Sequence, residues 1–186
     1  MIELKNINGG YGKKQVLFDI NTIMHKNEIT SIIGPNGCGK STLLEISSGL
    51  MKPYEGVVVA DGVNIHEMNA KDRAKKISVL SQQKNPGALT VRALVYHGRF
   101  PYLGYPRKYR DEDRKIVDEA MRTAGIYDLA EESLSELSGG QQQKAYIAML
   151  LAQNTDIVFL DEPVTFLDIN YQLELMEIIK ELKNNG

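Results

Sequence analysis

The sequence predicts an α/β fold with an antiparallel β segment at its start and a helical insertion. Three observations predict it. A glycine-rich loop joins an apolar run to a helix start within residues 28–50, an apolar run closes on two acids at 157–162, and helix-patterned sequence fills most of the interval between them. With 186 residues, 42% hydrophobic and 25% charged, the chain has the size and make-up of one globular domain. A net charge of −2 argues against a general nucleic-acid binder, which would be basic. A single cysteine, Cys38, excludes an internal disulfide and points to a reducing compartment. The start, Met1-Ile2-Glu3-Leu4-Lys5, lacks the apolar core of a signal peptide. No apolar run nears the ~20 residues that crossing a bilayer requires, so any membrane link is expected to run through a partner.

Each element follows from local pattern. Residues 1–8 and 15–24 alternate apolar and polar around Gly9-Gly10-Tyr11-Gly12, which reads as two strands and a turn. Residues 28–33 read as a short buried strand, and 42–50 as a helix ending near Gly49 and Pro53. Val57-Val58-Val59-Ala60 before Asp61-Gly62 is a strand and turn, and 77–80 is a further strand. After Asn85-Pro86-Gly87 the pattern is mainly helical from 91 to 153, broken at 102–109 by Gly104 and Pro106. Residues 156–160 form an apolar strand. The last segment puts Ile169, Leu173, Met176, Ile179 and Leu182 on one helical face and stops at Asn184-Asn185-Gly186. Neither repeats nor a low-complexity linker interrupt the chain.

Gly34-Pro35-Asn36-Gly37-Cys38-Gly39-Lys40-Ser41 fits G-x-x-x-x-G-K-[ST] between an expected strand and a helix. A triphosphate needs many donors close together. The glycines let backbone N–H groups approach it, and the helix N-terminus adds positive potential. Lys40 is then expected at the β- and γ-phosphates, Ser41 on Mg²⁺, and Thr42 on the α-phosphate side. Cys38 fills a permissive position and is expected to pack. Downstream, Ile157-Val158-Phe159-Leu160-Asp161-Glu162 ends a strand with two carboxylates, at the edge where open α/β sheets bind ligands. Asp161 suits the Mg²⁺ shell and Glu162 a general base for attacking water. Two acids that merely solvate a strand end are the plainer reading of that pair taken alone.

Leu137-Ser138-Gly139-Gly140-Gln141 precedes a helical run from 142 to 153. A serine and two glycines that open a helix leave N–H groups free for an anion. With these motifs in place, the chain resembles the ATP-binding cassette (ABC) ATPases over its whole length. The resemblance implies a P-loop NTPase fold with a RecA-like core, an N-terminal antiparallel β subdomain and a helical signature subdomain. It divides the chain into a core at 1–85 and 154–186 and a helical part at 86–153. It implies ATP and Mg²⁺ as cofactors, and a second ATPase subunit whose γ-phosphate meets Ser138, Gly139, Gly140 and Gln141. By the same resemblance Tyr11 stacks on adenine, although a turn aromatic covering the first hairpin is the alternative. Gln82 matches the glutamine that contacts Mg²⁺ and the attacking water, with Gln83 one residue away. Asp168 matches the loop that crosses the dimer interface, where Val164 and Phe166 depart from the family's usual threonine and small residue.

The run from Thr90 through Gly98-Arg99-Phe100-Pro101 to Tyr102 is similar to importers of iron chelates, haem and cobalamin, with iron-siderophore complexes the preferred cargo class. That likeness implies an integral-membrane permease docked on the helical part, a substrate-binding protein engaged indirectly, no nucleic acid, and a peripheral position on the cytoplasmic face of the membrane. Arg99, Tyr102 and Tyr105 either lie near the docking surface or cap helices and pack locally. The family places a switch histidine beyond the helix at 169–183, and His25, His66 and His97 all precede the acidic pair. The expectation is therefore a C-terminally incomplete cassette that binds ATP and hydrolyses it poorly. Three functions remain in view: the energy-coupling subunit of an importer, a soluble cassette ATPase acting on DNA or the ribosome, and a nucleotide-binding remnant.

Overall fold

Alternating apolar residues fold the start of the chain into antiparallel strands, β1 (Ile2–Tyr11) and β2 (Lys14–Met24). The computed structural model describes residues 1–81, 87–164 and 168–185, with side chains as far as Lys183. The chain forms two bodies, Met1–Arg73 with Lys183–Gly186, and Ala74–Leu182. Helix α2 (Ala70–Lys76) carries it from one to the other.

In the first body, β3 (Glu55–Ala60) and β4 (Val63–Asn64) complete a four-stranded antiparallel sheet in the order β2-β1-β3-β4. Ile2 pairs with both Met24 and Ala60, which fixes the register so that Ile2, Leu4, Ile7, Leu17, Val58 and Ala60 share the buried side. Helix α1 (Lys40–Ser47) packs there through Ile46. A Cβ at Gly9 would collide with the Ile46 Cδ1 atom, so the glycine lets helix and sheet meet. The hairpin turn is tighter than the glycine cluster suggests: β1 runs on through Gly9 and Gly10 to Tyr11, and the turn is left to Gly12, where φ is +59°, and Lys13.

In the second body, β5 (Ile77–Leu80) and β6 (Ile157–Leu160) pair in parallel, Ile77 with Ile157 and Leu80 with Leu160. Around them pack α3 (Val91–His97), α4 (Asp111–Thr123), α5 (Gly139–Gln153) and α6 (Ile169–Asn185). Val91, Val95, Val117, Met121, Leu134 and Ala148 are fully enclosed in their shared core. Helix α3 starts on Thr90, whose hydroxyl accepts from the Ala93 N–H at 3.2 Å.

Two expectations are corrected. Residues 28–33 form no strand: no described strand pairs with them, and Ile33 is 92% exposed. A β-branched run supplies propensity, but a strand needs a ladder partner for its backbone groups. The inward face of α6 matches the one the pattern suggested only at Ile179 and Leu182. Ile169 and Leu173 are 64% and 60% exposed and Met176 is exposed too, whereas Leu175 is buried and Ile178, Ile179 and Leu182 pack on the core. The helix carries two apolar stripes, and contacts with α5 choose between them.

The segment after α3 closes on α5. Arg99 is buried, and its Nε donates to Asp113 Oδ1 at 2.9 Å while Nη1 donates to the Ala152 carbonyl at 2.9 Å. Its guanidinium lies 3.9 Å from the Tyr102 ring centroid, and the Tyr102 hydroxyl donates to the Gln153 carbonyl at 2.8 Å. Arg99 and Tyr102 thus pack locally, whereas Tyr105 is fully exposed. Burial works to raise the Asp113 pKa, but the Arg110 N–H and the Arg99 guanidinium outweigh it and hold the carboxyl below its usual 3.8. Replacing Arg99 with alanine strands Asp113 and the Ala152 carbonyl. The expected loss is about 3 kcal/mol, read by denaturant unfolding at pH 7. Because the folded Asp113 pKa is depressed, the pair's contribution is full above pH 3.8 and fades as pH falls through the lower folded value. The stability gap between the native chain and Arg99→Ala should therefore narrow in acid.

Candidate functional site

The phosphate loop is built on two glycines that no other residue replaces without strain. Gly37 and Gly39 have φ of +79° and +104°. Gly39 is also the N-cap of α1, with ψ 10°, and a Cβ there would sit 2.8 Å from Val16 Cγ1. The cap residue, a glycine, has no side chain to accept from the first N–H groups of α1. The Lys40 Nζ folds back over the loop and donates to the carbonyls of Gly34 and Pro35, at 3.0 Å each. Ser41 is half-buried on the first turn and Thr42 is buried. Asn36 is exposed in the turn before Gly37. Cys38, expected to pack, is an exposed free thiol, although its Sγ lies 2.8 Å from where a Gly34 Cβ would stand. At the end of β1, the half-exposed Tyr11 donates its hydroxyl to Glu45 Oε2 on α1 at 2.9 Å.

The second body carries the acids. The Asp161 N–H donates to the Leu80 carbonyl at 2.9 Å, which extends the parallel ladder one residue past β6. Glu162 follows with φ +47°, in the left-handed region that side chains rarely adopt. The Gln143 amide nitrogen donates to the Pro163 carbonyl at 2.7 Å. Nothing in the acid pair's own sequence pointed to Gln143. The available signal was a glutamine that α5 turns into its buried side, where an amide needs a partner.

Ser138-Gly139-Gly140-Gln141 forms the start of α5. The Ser138 hydroxyl accepts from the Gln141 N–H at 3.3 Å, and Gln141 Oε1 accepts from the Ser138 N–H at 2.9 Å, a reciprocal capping box. The Gly139 and Gly140 N–H groups, in the first turn of the helix, have no intrahelical acceptor. A Cβ on Gly140 would stand 2.8 Å from the Tyr171 ring of α6, whereas at Gly139 it would meet open space. Lys144 braces the same contact, lying 4.9 Å from the Tyr171 ring centroid and 2.6 Å from Glu174 Oε2. Asp168 caps α6, accepting from the N–H groups of Asn170 and Tyr171 at 3.0 and 3.1 Å. Gln82, Gln83, Thr165, Phe166 and Leu167 lie outside the described residues.

A glycine loop leading into a helix, a parallel strand pair and an acid-tipped strand end define a P-loop α/β protein. The ABC transporter family model matches residues 17–165. The chain is 44% identical over 174 residues to the iron(3+)-hydroxamate import ATP-binding protein FhuC of Bacillus subtilis (strain 168), covering 93% of this chain and 65% of that one. It is 47% identical over 174 residues to the ferric enterobactin transport ATP-binding protein FepC of Escherichia coli (strain K12), covering 93% and 64%. The dimeric structure of MJ0796, a bacterial ABC transporter cassette, superposes with a TM-score of 0.87 at 33% identity, over 100% of this chain and 84% of that one. The chain belongs to the ABC transporter family and has the fold of its ATPase cassettes. It spans just under two-thirds of the length of FhuC and FepC.

The Gly140–Tyr171 contact makes a sharp prediction. Gly140→Ala should cost about 1–3 kcal/mol by forcing the ring off α5. In a Tyr171→Ala background the same change should cost less than ~0.5 kcal/mol, and a thermal-melt double-mutant cycle reads the coupling.

Proposed function

We propose that the chain is the ATP-binding and ATP-hydrolysing part of an ABC importer subunit that serves iron-siderophore uptake. The observation that carries the reading is the phosphate loop: two positive-φ glycines, an uncapped helix start and a lysine folded over the loop carbonyls make a cradle of donors. The import ATP-binding proteins FhuC and FepC, at 44% and 47% identity, support the cargo class.

In this reading the N–H groups of Gly34, Asn36, Gly37, Cys38 and Gly39 hold the phosphates of ATP. Lys40 exchanges its loop carbonyls for the β- and γ-phosphates, and Thr42 assists at the α-phosphate. Tyr11 faces the adenine. Among the described residues no cluster of three or more His, Cys, Asp or Glu could hold a metal by itself. That suits Mg²⁺, which takes most of its ligands from phosphate and water. Ser41, Asp161 and Gln82 are assigned to it, and the bound ion supplies charge neutralisation on the phosphates. Glu162 takes the proton from attacking water, and Gln82 orients that water.

Ser138, Gly139, Gly140 and Gln141 serve the γ-phosphate of a second cassette, with Asp168 near the shared interface. Among the described residues no helix is long and apolar enough to cross a membrane. In this reading a permease, with its substrate-binding protein beyond it, holds the chain at the cytoplasmic face of the membrane, as the import and transport ATP-binding proteins FhuC and FepC suggest.

Fluorescent-ATP binding and phosphate release test this. Lys40→Ala should weaken ATP binding by at least about 10-fold, the loss of a charge-assisted contact. Glu162→Gln should leave ATP affinity within about threefold and cut turnover by roughly 100-fold or more. Turnover indifferent to Glu162→Gln would refute the base assignment.

A further inference from the structure

Gln143 sits one turn into α5, 7% exposed, with its amide nitrogen on the Pro163 carbonyl. That carbonyl belongs to the turn carrying Asp161 and Glu162. The turn has an uncommon backbone: Glu162 is left-handed at φ +47°, and Pro163 has no N–H to add to a local ladder. A side chain in the left-handed region persists only where its surroundings hold it. Among the described residues, two hydrogen bonds tie the turn's backbone to its neighbours. The Leu80 carbonyl on β5 takes the Asp161 N–H, and Gln143 on α5 donates to Pro163. Glu162 lies between the two anchors.

The opposite end of this connection is the signature. Gln143 stands two residues after Gln141, the partner of Ser138 in the capping box, and next to Lys144, which braces Tyr171 under Gly140. A shift of the α5 start therefore moves Gln143 as part of the same rigid helical turn.

We infer that Gln143 is a positioning residue: it clamps the Glu162–Pro163 turn to α5 and transmits the position of the signature helix to the Glu162 carboxylate. It touches neither nucleotide nor metal and acts through the Pro163 carbonyl. The inference rests on the reading of Glu162 as the general base.

Hydrogen exchange and steady-state kinetics on the full chain separate the inference from that reading. In Gln143→Leu, amides in the peptide spanning 161–164 should exchange about 10-fold faster, the loss of one net hydrogen bond. Exchange in the second half of α5 should hold. The same variant should lose roughly 10- to 100-fold in kcat with KM for ATP within about twofold, because misplacing a base costs rate rather than binding. Gln143→Glu keeps the size and removes the donor; it should reproduce the effect and stands in if Gln143→Leu fails to fold. Unchanged exchange at 161–164 overturns the clamp, as does a fall in kcat matched by an equal loss of ATP affinity. Faster exchange in Gln143→Leu with turnover indifferent to Glu162→Gln keeps the clamp and sinks the base assignment instead.

Discussion

The backbone groups at the two ends of α5 must be satisfied, and much of the second body is arranged by how that is done. A helix leaves donors bare at its start and carbonyls bare at its end. At the end, Arg99 and Tyr102 reach back to the carbonyls of Ala152 and Gln153, and Asp113 neutralises the arginine. This ties the segment after α3 and the start of α4 to one point. At the start, Ser138 and Gln141 cap each other, and the Gly139 and Gly140 donors stay available. The length of α5 between these ends buries Ala145, Ile147, Ala148 and Leu150, so the polar closures fix the position of an apolar spine.

The two helix starts that matter chemically solve the same problem in opposite ways. α5 is capped by side chains, Ser138 and Gln141 accepting from each other's N–H groups. α1 has no side-chain cap; Gly39 takes a left-handed conformation, and Lys40 turns onto the loop carbonyls. The capped start is rigid before any ligand arrives. At the uncapped one, the lysine's present partners are the neutral carbonyls of Gly34 and Pro35. The two starts thus differ in what orders them, a reciprocal side-chain cap at one and a positive-φ glycine at the other.

Local chemistry was legible in the sequence, and choices made by distant partners were not. The phosphate loop, both strands at 77–80 and 157–160, the helical interval and the capping serine could be read because spacing and residue type decide them. β4 and α2 carried too few residues to show a period. Residues 28–33 had the composition of a strand but no described ladder partner. On α6 two apolar stripes compete, and Tyr171 against Gly140 together with Lys144 on Glu174 turns the Leu175 and Ile178 side inward. Gln143 stayed hidden because its significance lies in a carbonyl 20 residues away.

The same distinction bears on the stretch from Thr90 to Tyr102, whose likeness to siderophore importers suggested a docking surface. Two of the three residues singled out there are turned inward. Arg99 is sealed between Asp113 and the α5 carbonyls, and Tyr102 stacks on it. Their side-chain types are demanded by the closing of α5: a shorter cation would not reach both the carboxylate and the carbonyl, and a phenylalanine would leave the Gln153 carbonyl without its donor. Likeness in this stretch therefore reports how the helical body is held together before it reports what the body touches. Of the neighbouring rings, Phe100 packs on His97 and Tyr109 while half exposed, and Tyr105 alone of the three residues singled out is fully exposed.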